Sequence, residues 1–386
     1  MALKPAMNRR GFLASLAALG LSAPLLSRVA HAASDTRLVV YWNDGGWDPT
    51  YIFDPHFESD VIDGDPESLP AQLKGIDFAD AESRPSVRRV FQDFGDRSVV
   101  INGLAVGSIS HTACARLMLT GSRSHTQADL PRQVGGRLAA QAAIPFLALS
   151  GPRFPGDQGQ ALLSASPDAV QLIQDTRWMA NQTLLQSYLE GVALGPDPKE
   201  QAYGDSLARL PGLLEQGELL IGESDLDRAL AALQADLCRS LIFQVQLPIL
   251  TVYDSHQDNH GNQSRALEAS FADLHTLLST LDGHGTLDRT LVLVLSEMGR
   301  TPVLNAAQGK DHWPYTSALL IGGGISGGRV IGSTDAGMAA QGMDRESGGV
   351  DLGAAAPSSA DLVGGVLQHL DLDPQELLPG CSPIRL

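Results

Sequence analysis

The sequence predicts an α/β protein built on a mostly parallel sheet flanked by helices, and three observations carry that expectation. Short, predominantly apolar runs bounded by turn residues recur along the chain: "RLVVYW" at 37–42, "SVVINGL" at 98–104 and "TLVLVL" at 290–295. Strands covered on both faces read this way, without the alternation of a half-exposed sheet. Between 247 and 297 the pattern runs strand, helix, strand, a βαβ unit whose two strands are expected to be parallel and neighbouring. Polar residues suited to chemistry then follow the carboxyl ends of the predicted strands, the edge at which open parallel sheets bind ligands.

The chain opens on an export signal. "MNRRGFLASLAALGLSAPLLSRVAHA" holds an arginine pair, Arg9-Arg10, then Gly11-Phe12-Leu13, an apolar run, and Ala30-His31-Ala32 as a small-x-small cleavage site after Ala32. The pair resembles the twin-arginine class, which sends a protein to the periplasm or beyond, with an ordinary secretory signal or a membrane anchor as the alternative. The apolar stretch from Gly11 to Leu26 contains Pro24 and is shorter than the roughly 20 residues that span a bilayer. No stable transmembrane segment is therefore expected in the mature chain. The expected organisation is a signal at 1–32 and a single α/β domain at 33–386, with a cap or insertion at about 151–224, a stretch rich in Gly, Pro, Asp and Gln.

Removal of the signal leaves 354 residues and takes away Lys4, Arg9, Arg10 and Arg28 but no acid, so the formal charge goes from −17 to −21. A basic nucleic-acid face does not fit that balance. Cys114, Cys238 and Cys381 are far apart and odd in number, so they give neither a metal spacing nor a disulfide framework.

Each element has its own signal. The strand at 37–42 runs into the turn "NDGGWDP", and that at 98–104 into the small, polar "AVGSISH". A helical pattern from Thr112 to Leu119 closes at Thr120-Gly121, and "IPFLALSG" at 144–151 is a third strand. Residues 225–245 predict one long amphipathic helix, and "LPILTVYD" at 247–254 a strand with Pro248 near its start. Leu267, Phe271, Leu274, Leu278 and Leu281 form one continuous helical face. A strand at 317–325 and a helix at 360–370 complete the chain. Gly322–Gly324 lacks the Lys-Ser/Thr of a phosphate loop and reads as a tight turn.

The candidate site is drawn from those strand ends. Asp44 follows the first strand, Asp254 and His256 follow the strand predicted at 247–253, and Glu297 ends the run at 290–295. Asp254 and His256, two apart in an extended segment, can face the same side. Asp311 and His312 arrive from the loop after Glu297. Carboxylate with imidazole suits Zn²⁺ or Mn²⁺, one or two ions, with Mg²⁺ or Ca²⁺ favoured where oxygen dominates. Asp258, Asn259, His260 and Asn262 read as turn and cap residues. Glu297 stands apart, because a carboxylate placed after six apolar strand residues is costly unless paired or coordinated. Arg300, three residues on, is the competing ion-pair partner.

These residues resemble a known family. "TLVLVLSEMGRTPVLN", "GKDHWPYTSALLIGGGISGGRVIGSTD", the preceding "DSHQDNHGNQSRALEASFADLHTLLSTLDGHGTLDRT" and the opening "DGGWDP" are similar to the bacterial domain of unknown function 1501. The likeness is dense over about 250–335 and recognisable at 37–55 and 108–121. That family is grouped with the alkaline-phosphatase superfamily, which holds sulfatases and phosphoglycerate mutases. The resemblance implies a doubly wound sheet, one or two divalent metals at its carboxyl edge, and a Ser, Thr or modified Cys that attacks a phosphate or sulfate ester. It places metal ligands at Asp44, Asp254, His256, Glu297 and His312, and the nucleophile in "GSISHTACARLMLTG". Ser110 and Thr112 are the candidate hydroxyls there, with helix capping as the alternative for either, and His111 is a candidate ligand or base. Arg300 or Arg116 is expected to hold the anion, unless Arg300 neutralises Glu297. Cys114 is followed by Ala115-Arg116, so the formylglycine motif of a standard sulfatase is absent. The reading is an exported, metal-dependent hydrolase of phosphate or sulfate esters. Its alternative is a non-catalytic, metal-containing protein of the envelope that binds a surface polymer or an assembly partner.

Overall fold

The computed structural model describes residues 36–138, 144–158, 164–165 and 224–386. The export signal and nearly all of the expected insertion at 151–224 lie outside the described residues. In chain order the strands are β1 (Arg37–Asn43), β2 (Leu69–Leu73), β3 (Ile76–Asp80), β4 (Ser98–Ala105), β5 (Ile144–Ala148) and β6 (Ser164–Ala165). They continue with β7 (Cys238–Gln244), β8 (Thr290–Ser296), β9 (Gly299–Arg300), β10 (His312–Trp313), β11 (Tyr315–Gly322) and β12 (Arg329–Ile331). The helices are α1 (Pro85–Phe94), α2 (His111–Thr120), α3 (Leu130–Leu138), α4 (Asp225–Gln234), α5 (Asn259–Gly283), α6 (Ser359–His369) and α7 (Pro374–Leu377).

Eight strands form one sheet in the order β12-β4-β11-β8-β1-β7-β5-β6. Among the described residues only β11 runs antiparallel to its neighbours, so the sheet is mostly parallel, as its apolar runs predict. Alternate residues of β1 enter two separate cores. Val39 and Tyr41 pack with Phe91 of α1, Ala229 of α4 and Phe271 of α5. Leu38, Val40 and Trp42 pack with Met118 of α2, Val134 of α3 and Val363 of α6. Helices therefore cover both faces, which is the doubly wound arrangement. Among the described residues no helix is long and apolar enough to cross a membrane.

Two predicted elements are corrected. The helix expected over 225–245 ends at Gln234, where Asp236 takes a left-handed φ of 55°, and the following Leu-Ile-Phe run is β7 in the sheet centre. The strand expected at 247–254 does not form: Ile249 and Leu250 are 93% and 89% exposed, and Leu250 has φ 64°. Pro248 and that turn displace the apolar run from the sheet, and periodicity alone does not tell a buried run from an exposed one. The βαβ unit is thus β7-α5-β8. Its strands are parallel but not neighbours, because β1 lies between them. Strands β1 and β8 finish level, Asn43 opposite Ser296, which brings Asp44 and Glu297 to one edge.

Candidate metal centre

Four loops meet at the carboxyl edge: 44–48 after β1, 106–110 between β4 and α2, 245–258 after β7, and 301–311 between β9 and β10. The first is shaped by glycine. Gly45 and Gly46 adopt φ 113° and 77°, and a Cβ on Gly45 would lie 2.7 Å from the Asp254 nitrogen. Only glycine makes that turn without strain. The turn aims the Gly45 N–H at Glu297 Oε1, 2.8 Å away, and the carbonyls of both glycines at Arg300.

Glu297 is fully buried. Its Oε1 also receives His111 Nδ1 at 2.6 Å, and Oε2 receives the Ser296 hydroxyl at 3.2 Å. Those bonds offset the cost of burying the carboxylate. Arg300 is not its partner. The guanidinium, equally buried, donates to Asp254 Oδ1 at 2.6 Å, to the Gly46 and Lys310 carbonyls at 2.9 and 3.1 Å, and to the Gly45 carbonyl. Sequence spacing suggests a Glu297–Arg300 pair; the folded chain gives each a different partner.

The three histidines define the centre. His111 Nδ1 meets Glu297, His256 Nδ1 meets Asp311 Oδ1 at 2.9 Å, and His312 Nδ1 meets the Ile109 carbonyl at 2.8 Å. A carbonyl or carboxylate oxygen only accepts, so each Nδ1 carries a proton and each ring turns its Nε2 the other way. All three Nε2 atoms face Asp254 Oδ1, at 3.6 Å from His111, 3.3 Å from His256 and 3.4 Å from His312. The Nε2 atoms of His256 and His312 are 3.0 Å apart. Three imidazole nitrogens and one carboxylate oxygen converge on one small volume, which protons on the rings or a bound cation can hold together. His111, Asp254 and His312 offer donor atoms within 4.8 Å of one another, and His256 touches two of those three. Tetrahedral donors about 2.0–2.1 Å from Zn²⁺ sit roughly 3.3 Å apart, so the donor set fits a divalent ion of that kind. The carboxylates and carbonyl behind the rings are groups of the kind that orient imidazoles at metal sites.

Hydrogen bonding to Glu297 raises the His111 pKa against the opposing effect of burial. Partial burial works to raise Asp254, but the hydrogen bond and charge of Arg300 hold it below the usual carboxylate range. Asp311 is lowered mainly by its bond to His256. Burial and then the charge of Glu297 push Asp44 up.

Of the residues singled out from sequence, Asp254, His256 and His312 meet at the centre together with His111. Glu297 and Asp311 stand behind the rings of His111 and His256. Asp44 lies at the rim, its carboxylate taking a 3.2 Å bond from Trp42 Nε1. Ser110 and Thr112 are exposed at the start of α2, where Ser110 is the N-cap by backbone angle but makes no side-chain capping bond. Arg116 lies over the Phe154 ring. Cys114 is buried in the core and its thiol is pushed up to about 11 by burial, which leaves no thiolate at neutral pH.

Sequence reasoning misses the layer beneath. Lys310 Nζ and Asp48 Oδ2 are 2.8 Å apart and both side chains are fully buried. Asn259, read from sequence as a turn residue, donates to the same Asp48 oxygen at 2.9 Å. The available signal is a lysine directly before "DHWP" and a second aspartate in "DGGWDP".

Fold and site together define a doubly wound α/β protein with a histidine–carboxylate cluster at the carboxyl edge of its sheet. The sequence profile of the family described as "Protein of unknown function (DUF1501)" matches residues 221–381, which hold Asp254, His256, Glu297, Arg300, Asp311 and His312. A comparison with curated proteins returns no match. Among solved structures, the chain is similar to a sulfatase from a Pseudoalteromonas species, at 11% identity and TM-score 0.41, over 94% of this chain and 76% of that one. It is similar to a protein in the alkaline phosphatase superfamily from Vibrio parahaemolyticus, at 10% identity and TM-score 0.39, over 89% and 68%. A phosphonate monoester hydrolase from Silicibacter pomeroyi is similar at 11% identity and TM-score 0.39, over 92% and 78%.

Proposed function

We propose that the protein is an exported, metal-dependent hydrolase of phosphate or sulfate esters, with His111, Asp254, His256 and His312 holding a divalent cation, Zn²⁺ or Mn²⁺. The observation that carries this is the convergence of three imidazole Nε2 atoms on one carboxylate oxygen. A cation there supplies positive charge against the negative charge that builds on an ester oxygen and lowers the pKa of a hydroxyl or water.

The chain's own residues supply the rest. Glu297 and Asp311 fix the tautomers of His111 and His256. Arg300 keeps Asp254 ionised, and its bonds to backbone carbonyls commit it to the loops rather than to a substrate. Ser110, exposed beside His111 at the opening of α2, is the candidate attacking hydroxyl, with Thr112 second. Asp44, Asp254 and Glu297 together repel an anion, which is why an anionic ester needs the cation as well. Twin-arginine export suits this reading, because a protein folded before export takes up its metal first.

Metal analysis of the purified protein beside His312→Ala tests the centre. About one or two ions per chain, lost in the variant, is the expected result; none in the wild type after reloading sinks it. A screen of phosphate and sulfate esters with Ser110→Ala and Thr112→Ala tests the chemistry. Bound metal with no turnover of any ester overturns the hydrolase in favour of a binding protein.

A further inference from the structure

We infer that Lys310 is a positioning residue, whose buried ammonium holds in register the loops carrying Asp254, His256, Asp311 and His312 and thereby sets cation affinity without touching the cation. The affinity part rests on the reading of the cluster as a metal centre.

The observation is a closed circuit. Lys310 Nζ reaches Asp48 Oδ2 at 2.8 Å and Thr50 Oγ1 at 3.1 Å. Asp48 takes Asn259 Nδ2 at 2.9 Å, and Asn259 Oδ1 takes the Ser255 hydroxyl at 2.6 Å. The Ser255 carbonyl then accepts the Lys310 N–H at 2.9 Å, which returns the circuit to its start. Gln263 braces it, accepting from the Asp48 N–H at 2.9 Å and donating to the Ser255 hydroxyl at 2.9 Å. Ser255 separates Asp254 from His256, and Lys310 directly precedes Asp311 and His312. One residue therefore joins the loop after β1, the loop before α5 and the loop into β10. Arg300 closes a second bond onto the Lys310 carbonyl at 3.1 Å.

A buried ion pair is a weak source of net stability compared with apolar residues of the same shape, whereas it fixes register. The His256–Asp311, His256–His312 and His312–Asp254 contacts each span two of the loops that Lys310 joins. The Glu297–His111 contact instead ties the end of β8 to the start of α2.

The test uses the full mature chain with Lys310→Met, and Asp48→Asn/Lys310→Met to cover loss of folding in the single variant. Hydrogen exchange is read first, on metal-free protein. Exchange in peptides over 253–258 and 309–313 is expected to rise about tenfold, with 108–114 and the β8 strand unchanged. Unchanged loops, or a rise spread evenly through the sheet, would overturn the inference. Zinc affinity by chelator competition is then expected to fall roughly 10–100-fold in Lys310→Met. The double variant should regain the melting temperature while its affinity stays below wild type. Affinity within twofold of wild type in a folded Lys310→Met overturns the positioning role. A wild type that binds no zinc refutes the metal centre instead, and the exchange result alone decides the role of Lys310.

Discussion

Two charged clusters lie back to back at the carboxyl edge, and they are built on opposite principles. In the inner one, Asp48 and Lys310 are fully buried and every charge meets an opposite charge or a donor. In the outer one, His111, Asp254, His256 and His312 are partly exposed, and three imidazole Nε2 atoms crowd one carboxylate oxygen. The inner cluster is complete as folded; the outer one, on the proposed reading, is completed by a bound cation. Scaffold charges balance internally, whereas a binding site keeps its imbalance until the ligand arrives.

The largest effect that would break this contrast is on metal content. His312→Ala should lose the bound ion altogether while the metal-free protein melts within about 1 kcal/mol of wild type, as expected where no buried charge is stranded. A large loss of metal-free stability would make His312 part of the scaffold. Asp48→Ala should do the reverse, costing about 3–5 kcal/mol in a denaturant titration because Lys310 is left buried and unpaired. A cost below 1 kcal/mol would erase the distinction.

Glu297→Gln is intermediate, with metal affinity about 10–100-fold weaker. Its second readout is the His111 titration in metal-free protein, followed by NMR. Glu297 raises that pKa, so the variant should bring it back toward the ordinary histidine value. The sign for stability follows from the raised pKa. The His111–Glu297 contribution is fully present below the ordinary histidine range and is lost as pH rises through the raised value. For metal uptake the proton is a competitor, so wild-type affinity should weaken as pH falls through that same value, and the variant should shift this dependence to lower pH. The smallest expected effect is at Cys114. Its thiol, pushed up to about 11 and buried, should resist alkylation at pH 8 in the native protein and react on unfolding. Rapid native labelling would reopen a cysteine nucleophile.

Much of this is written along the chain. β1, β4, β8, α5 and α6 each show in apolar runs or a 3.6-residue period, because burial on one face or two leaves a local mark. Glu297 also declares itself locally, since a carboxylate after an apolar strand demands a partner. The two errors share a cause. In "LCRSLIFQVQLPILTV" two apolar runs follow each other, and only pairing with β1 and β5 makes the first a strand. Pro248 and the turn at Leu250 turn the second out of the sheet.

The sequence by itself determined the layered α/β class and the residue types at the strand ends, since periodicity and the cost of burying charge are local properties. Only the tertiary structure decided which group meets which: Glu297 with His111 and not Arg300, Asp254 with Arg300, and Lys310 with Asp48, 262 residues away in the chain. Partner choice depends on where separate loops come to lie along one sheet edge, and the level ends of β1 and β8, set by sheet register, fix that.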